Sequence, residues 1–227
     1  MDSMNRKIEI NQIRKRFHRK EVLREASFQA EPGMCVGILG GNGSGKSTLL
    51  SILAGVQKPD GGEFLWQGTD LFQNPRLLAR ATGYVPQGTP LLEELTAWDN
   101  LLLWYDRTAL QRELYEGVLA MLGIPEFIKT RVSKMSGGMK KRLSIGCAVA
   151  HSPEILLLDE PSAALDLICK ERISTYFRQY KARGGILVLA THDVQELALC
   201  DRWYILKDGI LVPYEYDGNV RRLVGVL

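Results

Sequence analysis

The 227-residue sequence predicts an α/β protein: a mostly parallel sheet with crossover helices, into which an all-helical segment is inserted. Three observations predict it. Short runs rich in apolar residues, at 34–39, 154–158 and 185–189, read as strands, the first of them continuously apolar as expected of a strand buried on both faces. Segments of helical periodicity separate these runs, the alternation that a parallel sheet with crossovers requires. Between Gln87 and Pro153 strand signals vanish and helical ones take over, which marks a subdomain.

In chain order, Ile8, Ile10 and Ile13 sit among polar residues, and 22–23 and 26–28 follow as further strand texture. A glycine-rich turn after residue 39 leads into 47–54, which has helical character and stops at Gly55, a common helix terminator. Residues 63–66 and 83–85 read as short strands. In the helical segment, Trp98, Leu101, Leu102 and Tyr105 recur at helical spacing, as do Leu110, Leu114, Val118 and Leu122 before Gly123. Residues 137–150 and about 167–180 complete the helices. The expected division is one domain over 1–227, with a core of 1–88 and 153–227 and a helical subdomain over 89–152.

Composition excludes several classes. Apolar residues make up 45% and charged residues 24%, ordinary for a globular chain and against disorder. A net charge of +3 argues for neither nucleic acid nor membrane as a partner, and no nucleic acid is expected. The charge is uneven: Arg6, Lys7, Arg14, Lys15, Arg16, Arg19, Lys20 and Arg24 crowd the start, either as a solvated strand face or as a surface near phosphate or anionic lipid. Cys35, Cys147, Cys169 and Cys200 are scattered without a C-x-x-C pair and read as reduced, buried small hydrophobes. No run approaches the roughly 20 apolar residues of a membrane-spanning helix, and the basic start, with no apolar core after it, does not read as a secretory signal.

The chemistry is concentrated in a few segments. Gly40, Gly41, Asn42, Gly43, Ser44, Gly45, Lys46 and Ser47 fit G-x-x-x-x-G-K-[ST] in full, with a buried strand before and a helix after. Glycines let successive backbone N–H groups turn inward toward phosphate oxygens. The helix N-terminus adds about half a positive charge. Lys46 adds a full one, the Ser47 hydroxyl suits Mg²⁺, and Thr48 can add a phosphate hydrogen bond. A second apolar run ends in Asp159 and Glu160. Its carboxylates fall at the C-terminal edge of a strand, where open α/β sheets bind ligands. Asp159 suits Mg²⁺, through water, and Glu160 suits a general base for an attacking water.

Ser136, Gly137 and Gly138, 23 residues before Asp159, resemble the signature of the ATP-binding cassette family, whose common form is Leu-Ser-Gly-Gly-Gln. Met135 and Met139 replace its outer residues here. The resemblance covers nearly the whole chain and extends to an export-type, single-cassette ATP-binding subunit of a transporter. It implies a P-loop NTPase core with a mostly parallel sheet, an N-terminal antiparallel β-subdomain and an inserted helical subdomain. Residues 84–87 resemble the glutamine loop, so Gln87 would reach Mg²⁺ and sense the nucleotide. Residues 162–166, ending in Asp166, resemble the loop that touches a partner subunit. Residues 190–193 resemble the switch segment, whose His192 would bond the γ-phosphate and orient Glu160. Phe17 stands where the family has an aromatic residue, more often tyrosine, against adenine; it also reads as an ordinary apolar strand end.

The resemblance further implies that two subunits pair head to tail, with ATP between Lys46 of one and Ser136 of the other. Expected cofactors are ATP and Mg²⁺. Expected partners are a second cassette, a homodimer being favoured with a different cassette chain left open, and an integral-membrane transporter subunit, which puts the chain on the cytoplasmic face of a membrane. The segment 90–100, with its Leu-Thr-x-x-x-Asn-Leu texture, is similar to cassettes serving export-type membrane subunits; equally, it can pack its own core through Leu95, Trp98 and Leu101. The alternatives are a soluble cassette ATPase in an assembly or repair complex and a different phosphate-loop class. The second lacks support, since a GTPase would carry Asn-Lys-x-Asp and a kinase has no need of Ser136 to Gly138.

Overall fold

The structure is a computed structural model that describes residues 6–163 and 165–225. Ala164, within the segment 162–166, lies outside the described residues.

The chain opens with β1 (Ile8–Phe17) and β2 (Lys20–Ala30), an antiparallel pair. Next come β3 (Cys35–Leu39), α1 (Lys46–Leu53), β4 (Gly61–Trp66), β5 (Thr69–Asp70), α2 (Pro75–Ala81) and β6 (Thr82–Val85). The helical stretch holds α3 (Ala97–Leu101), α4 (Arg107–Glu116), α5 (Val118–Met121) and α6 (Gly137–Ala148). The chain then runs through β7 (Ile155–Asp159), α7 (Leu167–Ala182), β8 (Ile186–Ala190), α8 (Val194–Leu197), β9 (Arg202–Lys207), β10 (Ile210–Tyr214) and α9 (Val220–Val224).

Two sheets result. One is antiparallel, in the order β2-β1-β4-β5. The other runs β10-β9-β3-β8-β7-β6 and is parallel except for the β9–β10 hairpin at its edge. Among the described residues between β6 and β7, regular structure is helical apart from one isolated bridge, Thr96 to Arg131.

The apolar runs read from the sequence are the central strands, buried on both faces. In β7, Ile155 and Leu157 face one core, shared with α1, α2 and the antiparallel sheet. Leu156 and Leu158 face the other, shared with the helical stretch and α7. Strand β8 divides in the same way. Full burial of one such aliphatic side chain is worth about 1.5–3 kcal/mol, so this double-sided packing fixes where β7 ends. All four cysteines are free and buried. Far apart in sequence, Cys35 and Cys200 nevertheless meet with their sulfurs 3.4 Å apart.

The structure goes beyond the sequence reading, in which β5, α2, α8 and α9 have no counterpart, and three local features stand out. Ile8, Ile10 and Ile13 are all fully buried although strict alternation would put Ile13 on the opposite face. The register shifts between Ile10 and Ile13, and Gln12 takes a left-handed φ of 50°, so a bulge returns Ile13 to the core side. The continuous periodicity over 110–122 is broken into α4 and α5 at Gly117. There the Glu113 carboxylate accepts from the Val118 N–H at 2.9 Å and occupies the space a Gly117 side chain would take. The β9–β10 hairpin has no counterpart in that reading; Pro213 sits in its edge strand, where a missing donor is tolerated.

Gly83 in β6 lies under α6. A Cβ there would come within 2.5 Å of the Ala148 carbonyl oxygen and 2.9 Å of Pro153 Cγ. Gly83→Ala is therefore expected to destabilise the fold by about 1–3 kcal/mol through overpacking. Chemical denaturation checks this; an unchanged midpoint would contradict the packing.

Candidate active site

Strands β3, β6, β7 and β8 run parallel, so their C-terminal ends lie on one edge of the sheet. The chain leaves those ends at Gly40, Pro86, Glu160 and Thr191. Most of the predicted residues therefore gather there.

After β3, Gly40 has φ 153°, and a Cβ on it would sit 2.7 Å from both the Leu206 carbonyl oxygen and Ser44 Oγ. Gly45 has φ 111° and is closed over by Val22 of β2, 2.9 Å from where a Cβ would lie. Only glycine makes both turns without strain. Helix α1 starts at Lys46 with no side-chain cap and no acidic residue in its first turn. Its leading N–H groups are thus left for an anion. Ser44 Oγ is buried with no hydrogen-bond partner. Asn42, Gly43 and Ser47 are exposed along the same loop, and Gly41 and Thr48 are half-buried. This donor set fits a polyphosphate.

Lys46 is only 7% exposed and donates from Nζ to the Gly40 and Gly41 carbonyls at 2.7 and 3.1 Å. Burial pushes its pKa down, while Glu160 and Asp159 hold it up. Asp159 closes β7 at 2% exposure. Burial pushes its carboxyl above the usual range and Glu160 adds to that; the Ser47 hydroxyl, Lys46 and Lys141 pull the other way.

Glu160 takes φ 48°, unusual for a residue with a side chain, and its N–H donates to the Ala190 carbonyl at 2.8 Å. Such a conformation costs about 1–3 kcal/mol and persists only where the surroundings enforce it. At this turn the Glu160 carboxylate meets two predicted residues. Gln87 Nε2 donates to Glu160 Oε2 at 3.0 Å, and His192 Nε2 lies 3.8 Å from Oε1. Burial lowers the His192 pKa and Lys46 lowers it further, while Glu160 works against both.

Two residues that the sequence reading passed over belong to the cluster. Lys141, on α6, is 5% exposed and donates from Nζ to the Pro86 and Gln87 carbonyls, both at 3.0 Å. Glu196, on α8, is equally buried and accepts from the Thr191 hydroxyl beside His192. Lys141 stands four residues after Gly137, on the helix that Gly137 begins, and that spacing was the available signal. Nothing in its basic run separates it from Lys140, which reaches the exposed Glu93 instead.

Other predicted residues stand apart. Ser136 caps α6, accepting from the Met139 N–H at 3.3 Å, and Asp166 caps α7, accepting from the Cys169 N–H at 2.8 Å. Gly138 packs on the start of α7, where a Cβ would lie 2.8 Å from Cys169 Sγ. Among the described residues, no hydrogen bond or ion pair joins Ser136, Gly137, Gly138 or Asp166 to the Lys46 cluster. Phe17 ends β1 opposite Lys20, two residues from Val22, with its ring exposed and Lys15 Nζ 5.4 Å from the ring centre. The basic start is largely paired, Arg14 with Glu25, Lys15 with Asp60 and Arg24 with Glu21.

In the 90–100 segment, Leu101 is buried and Trp98 packs beside it. Asn100 accepts from the Leu92 N–H and donates to the Leu92 and Thr96 carbonyls. Leu92, Leu103 and Trp104 are exposed nearby in sequence. A cavity of 620 Å³ opens elsewhere, against α4, α5 and the end of α7, and none of the predicted residues line it.

The ABC transporter family profile matches residues 23–163. The Nod factor export ATP-binding protein I of Rhizobium etli is 34% identical over 89% of this chain and 66% of its own length. The chain thus spans about two thirds of that relative. The lipopolysaccharide export system ATP-binding protein LptB of Acidithiobacillus ferridurans is 33% identical over 91% of this chain and 88% of its own. Among solved structures, an ATP-binding subunit of an ABC transporter superposes with a TM-score of 0.81 at 26% identity, covering 96% of this chain and 93% of its own. A dimeric ATP-binding cassette in a post-hydrolysis state, bound to ADP and Pi, gives 0.80 at 26% identity, covering 92% and 98%.

The surroundings of His192 predict an imidazole that titrates below the ordinary value of about 6.5. Glu160→Gln, by removing the one group that favours the charged ring, lowers that midpoint further. An NMR titration checks both, and a midpoint above the ordinary value would contradict the geometry.

Proposed function

The chain belongs to the ABC transporter family of ATP-hydrolysing cassettes, and from that premise we propose that it energises an export-type transporter whose membrane-spanning part is a separate chain. The observation that carries the catalytic half of this reading is the Glu160 carboxylate, held by Gln87 and set against His192 beside the Lys46 loop.

In this reading the triphosphate of ATP lies on the backbone N–H groups of residues 40–48. The N-terminus of α1 and Lys46 neutralise its β- and γ-phosphates. Glu160 takes a proton from the attacking water as that water's oxygen bonds to the γ-phosphorus and the bond to ADP breaks. His192, set 3.8 Å from Glu160, donates a hydrogen bond to the γ-phosphate and orients Glu160. Phe17 stacks on adenine.

Mg²⁺ fits the donors present. The Ser47 hydroxyl, the Asp159 carboxylate and the amide oxygen of Gln87, whose nitrogen is engaged with Glu160, are hard oxygen ligands. Among the described residues no group of three or more His, Cys, Asp or Glu is placed to hold a metal unaided, which suits an ion completed by phosphates and water. Bound there, Mg²⁺ would supply charge neutralisation to the phosphates.

Ser136, Gly137, Gly138 and Asp166 lie outside the Lys46 cluster, which supports a second cassette, an identical copy, as the molecule whose nucleotide they touch. ATP then joins two copies, and its hydrolysis releases them. The helical stretch 89–152 carries Ser136 and moves against the core of 1–88 and 153–227. No helix among the described residues is long and apolar enough to cross a membrane. In this reading an integral-membrane partner chain is what the cassette energises, and it would hold the chain at the cytoplasmic face. The names of the export relatives support the direction, and the exposed Leu92, Leu103 and Trp104 offer apolar surface for that partner. Recovery of the chain with an integral-membrane polypeptide supports this reading; a purely soluble complex overturns it in favour of an assembly or repair ATPase.

Glu160→Gln is expected to lower ATP turnover by roughly 10²–10⁴-fold while leaving ATP binding intact. It also traps an ATP-bound dimer, visible by gel filtration. Undiminished turnover would remove Glu160 from the role of base. Ser136→Arg leaves ATP binding to the single chain intact and blocks both dimer formation and turnover; dimers of normal stability would contradict the head-to-tail arrangement.

A further inference from the structure

Lys141 has no part in the reaction as described above, yet it is one of the most buried cations in the described chain. It forms no ion pair among the described residues. Its ammonium is spent on two consecutive backbone carbonyls, Pro86 and Gln87. Asp159, Glu196 and Glu160 are near enough to favour its charge, but none of them bonds it, so its donors go to backbone carbonyls. A backbone donor or an asparagine would satisfy the same carbonyls. What a lysine adds is reach: a four-carbon stem crossing from one structural unit to another.

The two units are informative. Lys141 is anchored on α6, whose first residues are Gly137 and Gly138 and whose cap is Ser136. Lys141 is the fifth residue after Ser136, about 7.5 Å along the helix axis. At the other end, Gln87 donates its side-chain amide to Glu160. Helix α6, the Lys141 side chain and the Gln87 residue, joined by two hydrogen bonds, therefore connect the Ser136 tip to the Glu160 carboxylate.

We propose that Lys141 is a positioning residue for hydrolysis: it ties the backbone of 86–87 to the Ser136 helix, so that Gln87 holds Glu160 in place only when that helix is in register. The inference rests on the reading above, in which Glu160 is the base and Ser136 meets the nucleotide of the second copy. It adds that the position of Ser136 on one nucleotide governs Glu160 at the other. Displacement of the helical stretch pulls on two carbonyls at once, and the Gln87 side chain is carried with them.

The test is a mutant cycle on the full chain, measuring steady-state ATP turnover and, separately, ATP affinity with a fluorescent analogue. Lys141→Met keeps the apolar stem and removes the donors. It is expected to lower kcat about 10- to 100-fold, the scale of a misplaced catalytic group, with ATP affinity within twofold of the parent. Lys141→Arg, which keeps two donors, restores most of the turnover. Because Lys141 acts through Gln87, the double variant Gln87→Ala, Lys141→Met is no slower than Gln87→Ala alone.

Parental kcat in Lys141→Met overturns the inference, as do effects that multiply in the double variant. A matching loss of ATP affinity and turnover that arginine does not rescue also overturns it, since that is the mark of a purely structural lysine. If Lys141→Met does not fold, Lys141→Gln, whose shorter side chain and uncharged NH₂ do not match the ammonium's reach, enters the same cycle. Unchanged turnover in Gln87→Ala alone would overturn the role given to Gln87, and the inference with it. A normal loss there combined with multiplying effects would overturn the inference only.

Discussion

The site depends on one electrostatic balance: the buried ammonium of Lys46 set among loop carbonyls and facing the carboxylates of Asp159 and Glu160. Each of these charges alone would cost several kcal/mol to bury. Together they offset one another, with the Ser47 hydroxyl helping to hold Asp159 ionised. The balance is not one of ideal ion pairs, because Lys46 donates to carbonyls rather than to a carboxylate. Its ammonium can therefore be turned toward an incoming anion without breaking a salt bridge. A polyphosphate carrying a divalent cation is the ligand that such a set of groups neutralises best.

The sheet makes the balance possible. Four parallel strands deliver four loops to one edge, and each loop brings a different function: glycine turn and lysine after β3, glutamine after β6, carboxylates after β7, histidine after β8. Burial of β7 and β8 on both faces leaves no freedom for their ends to drift. The left-handed turn at Glu160 is enforced from there, by the hydrogen bond to the end of β8. Behind the edge, Glu196 braces the Thr191 hydroxyl, and Lys170 pairs with Asp193. The histidine segment is thus tied to α7, which begins at the loop containing Asp166.

Much of this was legible in the sequence, for physical reasons. A doubly buried strand must be apolar throughout, so 34–39 and 155–158 declared themselves. A phosphate loop needs glycine at strained positions and a lysine at a fixed offset, so 40–47 did too. What stayed hidden depends on contacts between distant residues. Lys141 in a basic run looks like solvated surface until the fold brings it under the Gln87 backbone. The pairing of Cys35 with Cys200 has no sequence signal, since it is made by β3 lying beside the turn before β9. The burial of Ile13 needed a bulge at Gln12, which composition does not announce. Gly117 split one periodic stretch in two because the Glu113 side chain, rather than a continuing helix, satisfied the next N–H.

The central claim is that the glycine and lysine loop holds the triphosphate while Ser136 of a second copy closes over it. A structure of the hydrolysis-deficient chain with Mg²⁺ and ATP tests this most directly. The account predicts two copies, each with phosphates on the N–H groups of its own residues 40–48. Lys46 Nζ moves off the Gly40 and Gly41 carbonyls onto phosphate oxygens, and the partner's Ser136 touches the γ-phosphate. Phosphates seated anywhere else, or Lys46 still bonded to both carbonyls with ATP bound, would contradict it.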